Sequence, residues 1–401
     1  MASRRHWHLS FLSAIVGAAL LAACGGGDSE PTSTRVVVFG DSLSDLGTYT
    51  PATQIPLGQA VGVPPFFGGR FTTNTFTGYT ASSNSNTATI WVEWVAARLG
   101  VALTQNEAGF GPVVPGKNPV TCPAKFSIPA LATSCTGYAQ GGARVTNPAG
   151  TNNPNGNGLI GTSPTAMTVP LVTQVANHLK QFGGFNGGDI VFVWPGADDG
   201  LAQLRAVEAA QVTPETAVAN VQTAATELVT LIKDEIAAKG ATRIAVLSFP
   251  DPVLLPYVAA QSASAQDLVR KMTTTFNDTV SSGLAGTPGV AIIDMGALFA
   301  DVAATPSKYG IANFTSFACD PAKIAAVTGG RVTDGSALFC NASPASAFVA
   351  PLPNLNTLRT GASASTWFYA DDVHPSIGGH KVIADYVITK VKDLGWMPAN
   401  Q

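Results

Sequence analysis

Arg35-Val36-Val37-Val38-Phe39-Gly40-Asp41-Ser42 is the stretch from which the architecture can be read. Arg35 to Phe39 is a short β-branched run, the pattern of a strand buried on both faces. A Gly-Asp-Ser turn follows at once. Glycine permits the tight turn, and Ser42 is expected at the N-terminus of whatever helix follows, where backbone N–H groups stabilise an anion. Taken alone, the trio reads equally well as a strand-to-helix turn with a capping serine.

Working outward, Asp189 to Trp194 (DIVFVW), Arg243 to Ser248 (RIAVLS) and Val290 to Asp294 (VAIID) read as further strands, with Val101 to Thr104 as another candidate. Between them, apolar residues at helical spacing predict helices over Ile90–Leu99, Pro170–Gln181, Glu215–Lys239, Ser262–Leu284 and Ile377–Leu394. Strands alternating with helices predict an α/β fold with a mainly parallel central sheet covered on both faces. Ligands of such sheets sit at the carboxyl ends of the strands, so the residues after Phe39 and Trp194 are where chemistry is expected. Gly-, Asn- and Pro-rich sequence near 104–165, and Ser- and Pro-rich sequence near 305–365, read as loop insertions over the surface.

The 401 residues are 46% hydrophobic and only 12% charged, with a formal charge of −3. The apolar fraction excludes a disordered chain, and the absence of charge-flanked heptads excludes a coiled coil. With 22 basic against 25 acidic residues and no basic run, nucleic acid is not expected as a partner.

The first residues point to export. Arg4 and Arg5 precede an apolar stretch from Leu9 to Leu20, too short to span a bilayer but suited to a secretory signal. Leu21-Ala22-Ala23-Cys24 resembles a bacterial lipobox, in which the Cys is lipidated and becomes the mature N-terminus. Ordinary cleavage at an Ala-x-Ala-like site leaves Cys24 incidental. The expected organisation is a signal peptide over 1–23, a flexible tether over 24–34 with a reach of about 17 Å, and one domain over 35–397. Gly25 after the Cys favours the outer membrane in lipobox-bearing proteins. Four cysteines remain, and an even number in an exported chain implies disulfides in one of three connectivities. Their spacing favours Cys122–Cys135 and Cys319–Cys340. No CxxC motif or histidine cluster supports a metal.

Histidine counting isolates one candidate base. His6 and His8 leave with the signal, and His178 and His380 lie within helical patterns. His374 sits in Asp371-Asp372-Val373-His374-Pro375 just before the last helix. A carboxylate three residues earlier can fix the imidazole tautomer and leave the other nitrogen for Ser42.

Together these residues resemble the SGNH hydrolases, the GDSL esterase/lipase family, over about 35–394. Val38 to Asp45 is similar to the family's first block, Gly137-Tyr138-Ala139-Gln140-Gly141-Gly142-Ala143 to its second, and Asp371 to Pro375 to its last. The resemblance implies a three-layer, flavodoxin-like α/β/α sandwich and a carboxylic-ester hydrolase without metal or organic cofactor. It makes Ser42 the nucleophile, His374 the base and then acid, and Asp371 the orienting carboxylate. The N–H groups of Ser42 and Gly142 become oxyanion donors.

One position departs from the pattern. The family's third block reads Gly-x-Asn-Asp, its Asn being a third oxyanion donor, whereas here it is Gly196-Ala197-Asp198-Asp199. An ionised Asp198 cannot donate and repels the charge that forms. A protonated donor, a weakening or inactivating change, and a side chain turned elsewhere are the three readings, and the first implies an acid-shifted working range. The expected substrate is a lipid, aryl or acylated-glycan ester, with the membrane a partner through Cys24. A glycan O-acetyl esterase, or a non-catalytic surface lipoprotein binding glycan or lipid, are the alternatives. Phe66, Phe67, Phe71 and Phe76 could line an acyl pocket or belong to the core.

Overall fold

A computed structural model describes residues 35–50, 54–55, 66–67, 69–77, 85–108, 120–148, 168–330, 332–347 and 355–397. The expected signal peptide over 1–23, Cys24 and the expected tether over 24–34 lie outside the described residues. Six strands build one sheet, all pairings parallel: β1 (Arg35–Gly40), β2 (Thr104–Gln105), β3 (Cys135–Gly137), β4 (Asp189–Trp194), β5 (Ile244–Leu247) and β6 (Val290–Ile293). Their order is β6-β5-β4-β1-β3-β2, which puts β1 inside the sheet. β1 and β4 run in register from Arg35 opposite Asp189 to Gly40 opposite Trp194. The Arg35 guanidinium clamps Asp189 through two bonds, Nε to Oδ1 at 3.1 Å and Nη2 to Oδ2 at 2.6 Å.

Alternation along the strands creates the layers. Val36 and Val38 face α1 (Trp91–Arg98), with Phe192 and Trp194 of β4 on the same side. Val37 and Phe39 face α2 (Leu171–Phe182) on the other. That second layer also holds α3 (Ala197–Glu208), α4 (Pro214–Leu231) and α5 (Ala263–Leu284). The first is completed by α6 (Met295–Ala304) and by the last helix, over Ile377–Asp393. The result is the expected three-layer sandwich. The long helix read over Glu215–Lys239 is α4 continued by a wide turn over Ile232–Ile236 and a tight one over Ala237–Lys239.

Three expectations are corrected. The strand read at Val101–Thr104 forms only over Thr104–Gln105, which pair with Cys135 and Gly137, while Val101 and Leu103 pack half-buried against the core. The region near 104–165 is no mere surface excursion. It supplies β2 and β3, and Tyr138 donates its N–H to Val38 in mid-sheet at 2.8 Å. The region near 305–365 folds as a lobe with β7 (Asn313–Phe317) and α7 (Pro321–Val327). Here β7 pairs with β8 (Trp367–Tyr369), just beyond the lobe. The lobe has its own core around Ile324, Val332, Leu338 and Phe339. Its apolar residues follow no helical or strand period, so pattern reading passes over it. Both disulfides pair as their spacing suggested, Cys122–Cys135 and Cys319–Cys340.

Candidate active site

β1 ends at Gly40, and Asp41 turns the chain into a single tight turn over Ser42–Ser44 instead of a longer helix. Asp41 caps it, its Oδ1 accepting the N–H of Leu43 at 3.0 Å. The indole N–H of Trp91 donates to the Leu43 carbonyl at 3.0 Å and anchors the turn from beneath. Asp41 is fully buried, and its Oδ2 has no hydrogen-bond partner among the described residues. Burial, then the nearby Asp198 carboxylate, push Asp41 well above the usual carboxylate range.

β8 leads into the Asp371–His374 loop, which is closed by the Ala370 N–H donating to the His374 carbonyl at 2.7 Å. This closure brings Asp371 and His374 side by side. Nδ1 of His374 lies 2.9 and 2.8 Å from the two Asp371 oxygens, and Nε2 lies 2.8 Å from Ser42 Oγ. Three residues separated in sequence by 332 positions thus form one hydrogen-bonded line. Asp371 also accepts the backbone N–H groups of Val373 (3.0 Å), His374 (2.7 Å) and Ala337 (2.7 Å). Burial raises its pKa, but the His374 charge and these donors outweigh that and hold it below the ordinary carboxylate value. For His374, burial pulls the pKa down while Asp371, Asp372 and Asp198 pull it up, and the carboxylates win. Burial and the adjacent Asp371 push Asp372 up to about 7.

The second block lies beside the first. Gly142 has φ +82°, a left-handed conformation that side-chain-bearing residues rarely adopt. Asp45 accepts the Gly141 N–H at 2.9 Å, and the Tyr49 hydroxyl donates to the Gly141 carbonyl. That carbonyl and the Gly142 N–H belong to one planar peptide and point in opposite directions. Tyr49 therefore fixes the direction of the Gly142 N–H. Phe71 packs on His374 at 4.8 Å and meets Tyr49 edge-on at 5.5 Å. A Cβ on Gly141 would come within 2.2 Å of the Phe71 ring, so only glycine fits there.

Asp198 and Asp199 open α3 and divide the labour. Asp199 accepts Arg144 Nε at 3.0 Å and the Val145 N–H at 2.9 Å, which straps the second block to the helix. Asp198 lines the same cavity as Ser42, Gly142 and His374 and raises the pKa of both Asp41 and His374. Its carboxylate is thus within electrostatic reach of Asp41 and His374. Of the four phenylalanines considered for an acyl pocket, Phe71 lines the cavity and Phe76 does not. The side chains of Phe66 and Phe67 lie outside the described residues. Sequence reading missed Tyr49, Asp45 and Ala337, whose roles depend on contacts between distant segments. Asp45 carried a signal, being in the first block, but nothing in its spacing pointed to Gly141.

His178 and His380 are not brought to Ser42. His178 is stacked on Phe185 at 4.3 Å with Phe39 and Tyr138 around it, and His380 is buried in the last helix. Among the described residues, no group of three or more His, Cys, Asp and Glu side chains is arranged to hold a metal ion.

A serine at the carboxyl end of a parallel strand, lined up with an imidazole and a carboxylate, is an arrangement suited to acyl transfer. The family model described as GDSL-like Lipase/Acylhydrolase matches residues 36–387, and the chain belongs to that family. No curated protein matches the chain.

Proposed function

We propose that the protein hydrolyses carboxylic esters through Ser42, His374 and Asp371. The observation that carries this reading is the line from Ser42 Oγ through His374 to Asp371, each contact 2.8–2.9 Å, beside the Gly142 peptide. Ser42 attacks the acyl carbonyl while His374 Nε2 takes its proton. The developing oxyanion meets the N–H groups of Ser42 and Gly142. His374 then protonates the departing alcohol, and water activated by the same imidazole releases the acid. Asp371, kept ionised by its four donors, holds the tautomer that points Nε2 at Ser42.

Asp198 weakens this machinery. One missing oxyanion donor costs about 10²–10³ in rate, and an ionised carboxylate adds repulsion. An acid-shifted working range finds no support, because His374 is held above its ordinary pKa and needs a higher pH to lose its proton. Asp198 is also the one residue that favours a binding-only surface protein. Esterase turnover in the wild type that vanishes in Ser42→Ala supports the enzyme, whereas equal rates in both reject it.

We further propose export and tethering through lipidated Cys24, with the outer membrane as the destination. Two disulfides are the supporting observation, since such bonds persist in oxidising compartments. Transfer of labelled palmitate to the chain, abolished by Cys24→Ala, is the result expected; a chain released unlabelled by signal cleavage contradicts it.

A further inference from the structure

The cavity at Ser42 has a volume of about 560 Å³ and a lining of two kinds. Its rim carries charge, with Glu208 and Asp334 exposed and Arg205 and Asp372 half-buried. Away from the rim its walls are Val221 of α4, Val269, Met272 and Phe276 of α5, and Val258 in the segment before α5, none more than 7% exposed. These side chains belong to the core layer between the sheet and α3, α4 and α5. The Phe276 ring lies so close to Gly196 that a Cβ there would come within 2.4 Å of it, which ties the apolar wall to the start of the third block.

Protein cores close up to crystal-like density, and unfilled space next to apolar side chains is destabilising. An apolar hollow inside the core that communicates with a nucleophile fits an apolar part of the substrate. An acetyl group, with one methyl beyond its carbonyl, would leave nearly all of it unfilled.

Taking the esterase reading as its basis, we infer that the cavity walled by Val221, Val258, Val269, Met272 and Phe276 is an acyl-chain site, and that the substrates are esters of medium- to long-chain fatty acids. The carbonyl carbon sits at Ser42, the chain runs inward between α3, α4 and α5, and the alcohol part stays at the charged rim. This reading sets the protein apart from an O-acetyl esterase of glycans.

The test is kcat/KM for a series of 4-nitrophenyl esters from acetate to dodecanoate, with Ser42→Ala as blank. Each methylene buried adds up to about fourfold, so octanoate should exceed acetate by at least tenfold. Val269→Phe fills the site and should lower the octanoate-to-acetate ratio of kcat/KM at least tenfold. A cooperative thermal melt by circular dichroism reports that the variant folds. Leu201→Trp, at a half-buried position lining the same cavity, is the second variant and should act in the same direction. A wild type that prefers acetate, or filling variants that lower all chain lengths alike, overturns the acyl-chain site and leaves the esterase reading standing. No Ser42-dependent turnover of any ester overturns both.

Discussion

The backbone N–H of Ala337 donates to Oδ2 of Asp371 at 2.7 Å, across 34 positions of sequence. A residue of the lobe that reads as a surface insertion thus favours the ionised form of Asp371. Ala337 stands three residues before Cys340, whose disulfide to Cys319 closes that lobe. The double change Cys319→Ser and Cys340→Ser should lower stability by about 2–4 kcal/mol and reduce kcat more than it alters KM. Urea unfolding and steady-state kinetics on the wild type and the double variant check both parts.

Asp198→Asn restores a neutral amide where the family has its third oxyanion donor. Ester turnover should rise by about 10²-fold at neutral pH, chiefly in kcat. An unchanged or lower rate would show that Asp198 does not oppose the transition state.

His374 must be neutral to accept the Ser42 proton, and its pKa is held above 6.5 by the carboxylates that face it. Below that pKa the imidazole is protonated and inactive. The logarithm of kcat/KM should therefore rise with pH through a point above 6.5 and level off on the alkaline side. Asp371→Asn should lower the plateau by on the order of 10³–10⁴ and move the rising limb to lower pH. A pH–rate profile of each protein reads both effects.

Tyr49→Phe removes the hydroxyl that fixes the Gly141 carbonyl while keeping the ring against Phe71. A loss of about tenfold in kcat with little change in KM is expected, because a loosened Gly142 N–H serves the transition state more than the bound substrate. A change confined to KM would point to a role in substrate binding instead.

Acid stability depends on two histidines outside the reacting line. Burial, helped by Arg35, pushes His178 down to about 4, and burial pushes His380 down to about 3. Between those values and the unfolded value of about 6.5, the unfolded chain binds protons that the folded chain excludes, so stability falls as pH falls. Each histidine contributes a slope of about 1.4 kcal/mol per pH unit in that window. Asp41 and Asp372, held above their ordinary values, add slopes of the opposite sign over the same range, so the histidine share is read as a difference between two proteins. From pH 7 to pH 4 the denaturant midpoint of the wild type should drop relative to that of His178→Phe, whose ring suits the same aromatic surroundings.

What the sequence disclosed follows from where each signal resides. β1 and β4 are continuous β-branched and aromatic runs because both faces are covered, and such runs are visible without partners. β3 is only Cys-Thr-Gly and is a strand because Val38 and Thr104 lie beside it. α3 opens with Ala-Asp-Asp-Gly and has little apolar periodicity, its place being set by the Asp199 contacts with Arg144 and Val145. Ser42, Gly142, Asp371 and His374 were legible because each lies in a short block whose residue types are fixed by chemistry. Tyr49 and Ala337 act through single hydrogen bonds to distant backbone groups, which leave no local pattern.

Hydrolysis of a short-chain aryl ester by the wild type and by Ser42→Ala, followed across pH 4 to 9, shows directly whether Ser42 is the nucleophile. The wild-type rate should rise toward alkaline pH, and the Ser42→Ala rate should equal that of buffer throughout. Wild-type turnover retained in Ser42→Ala would contradict that role.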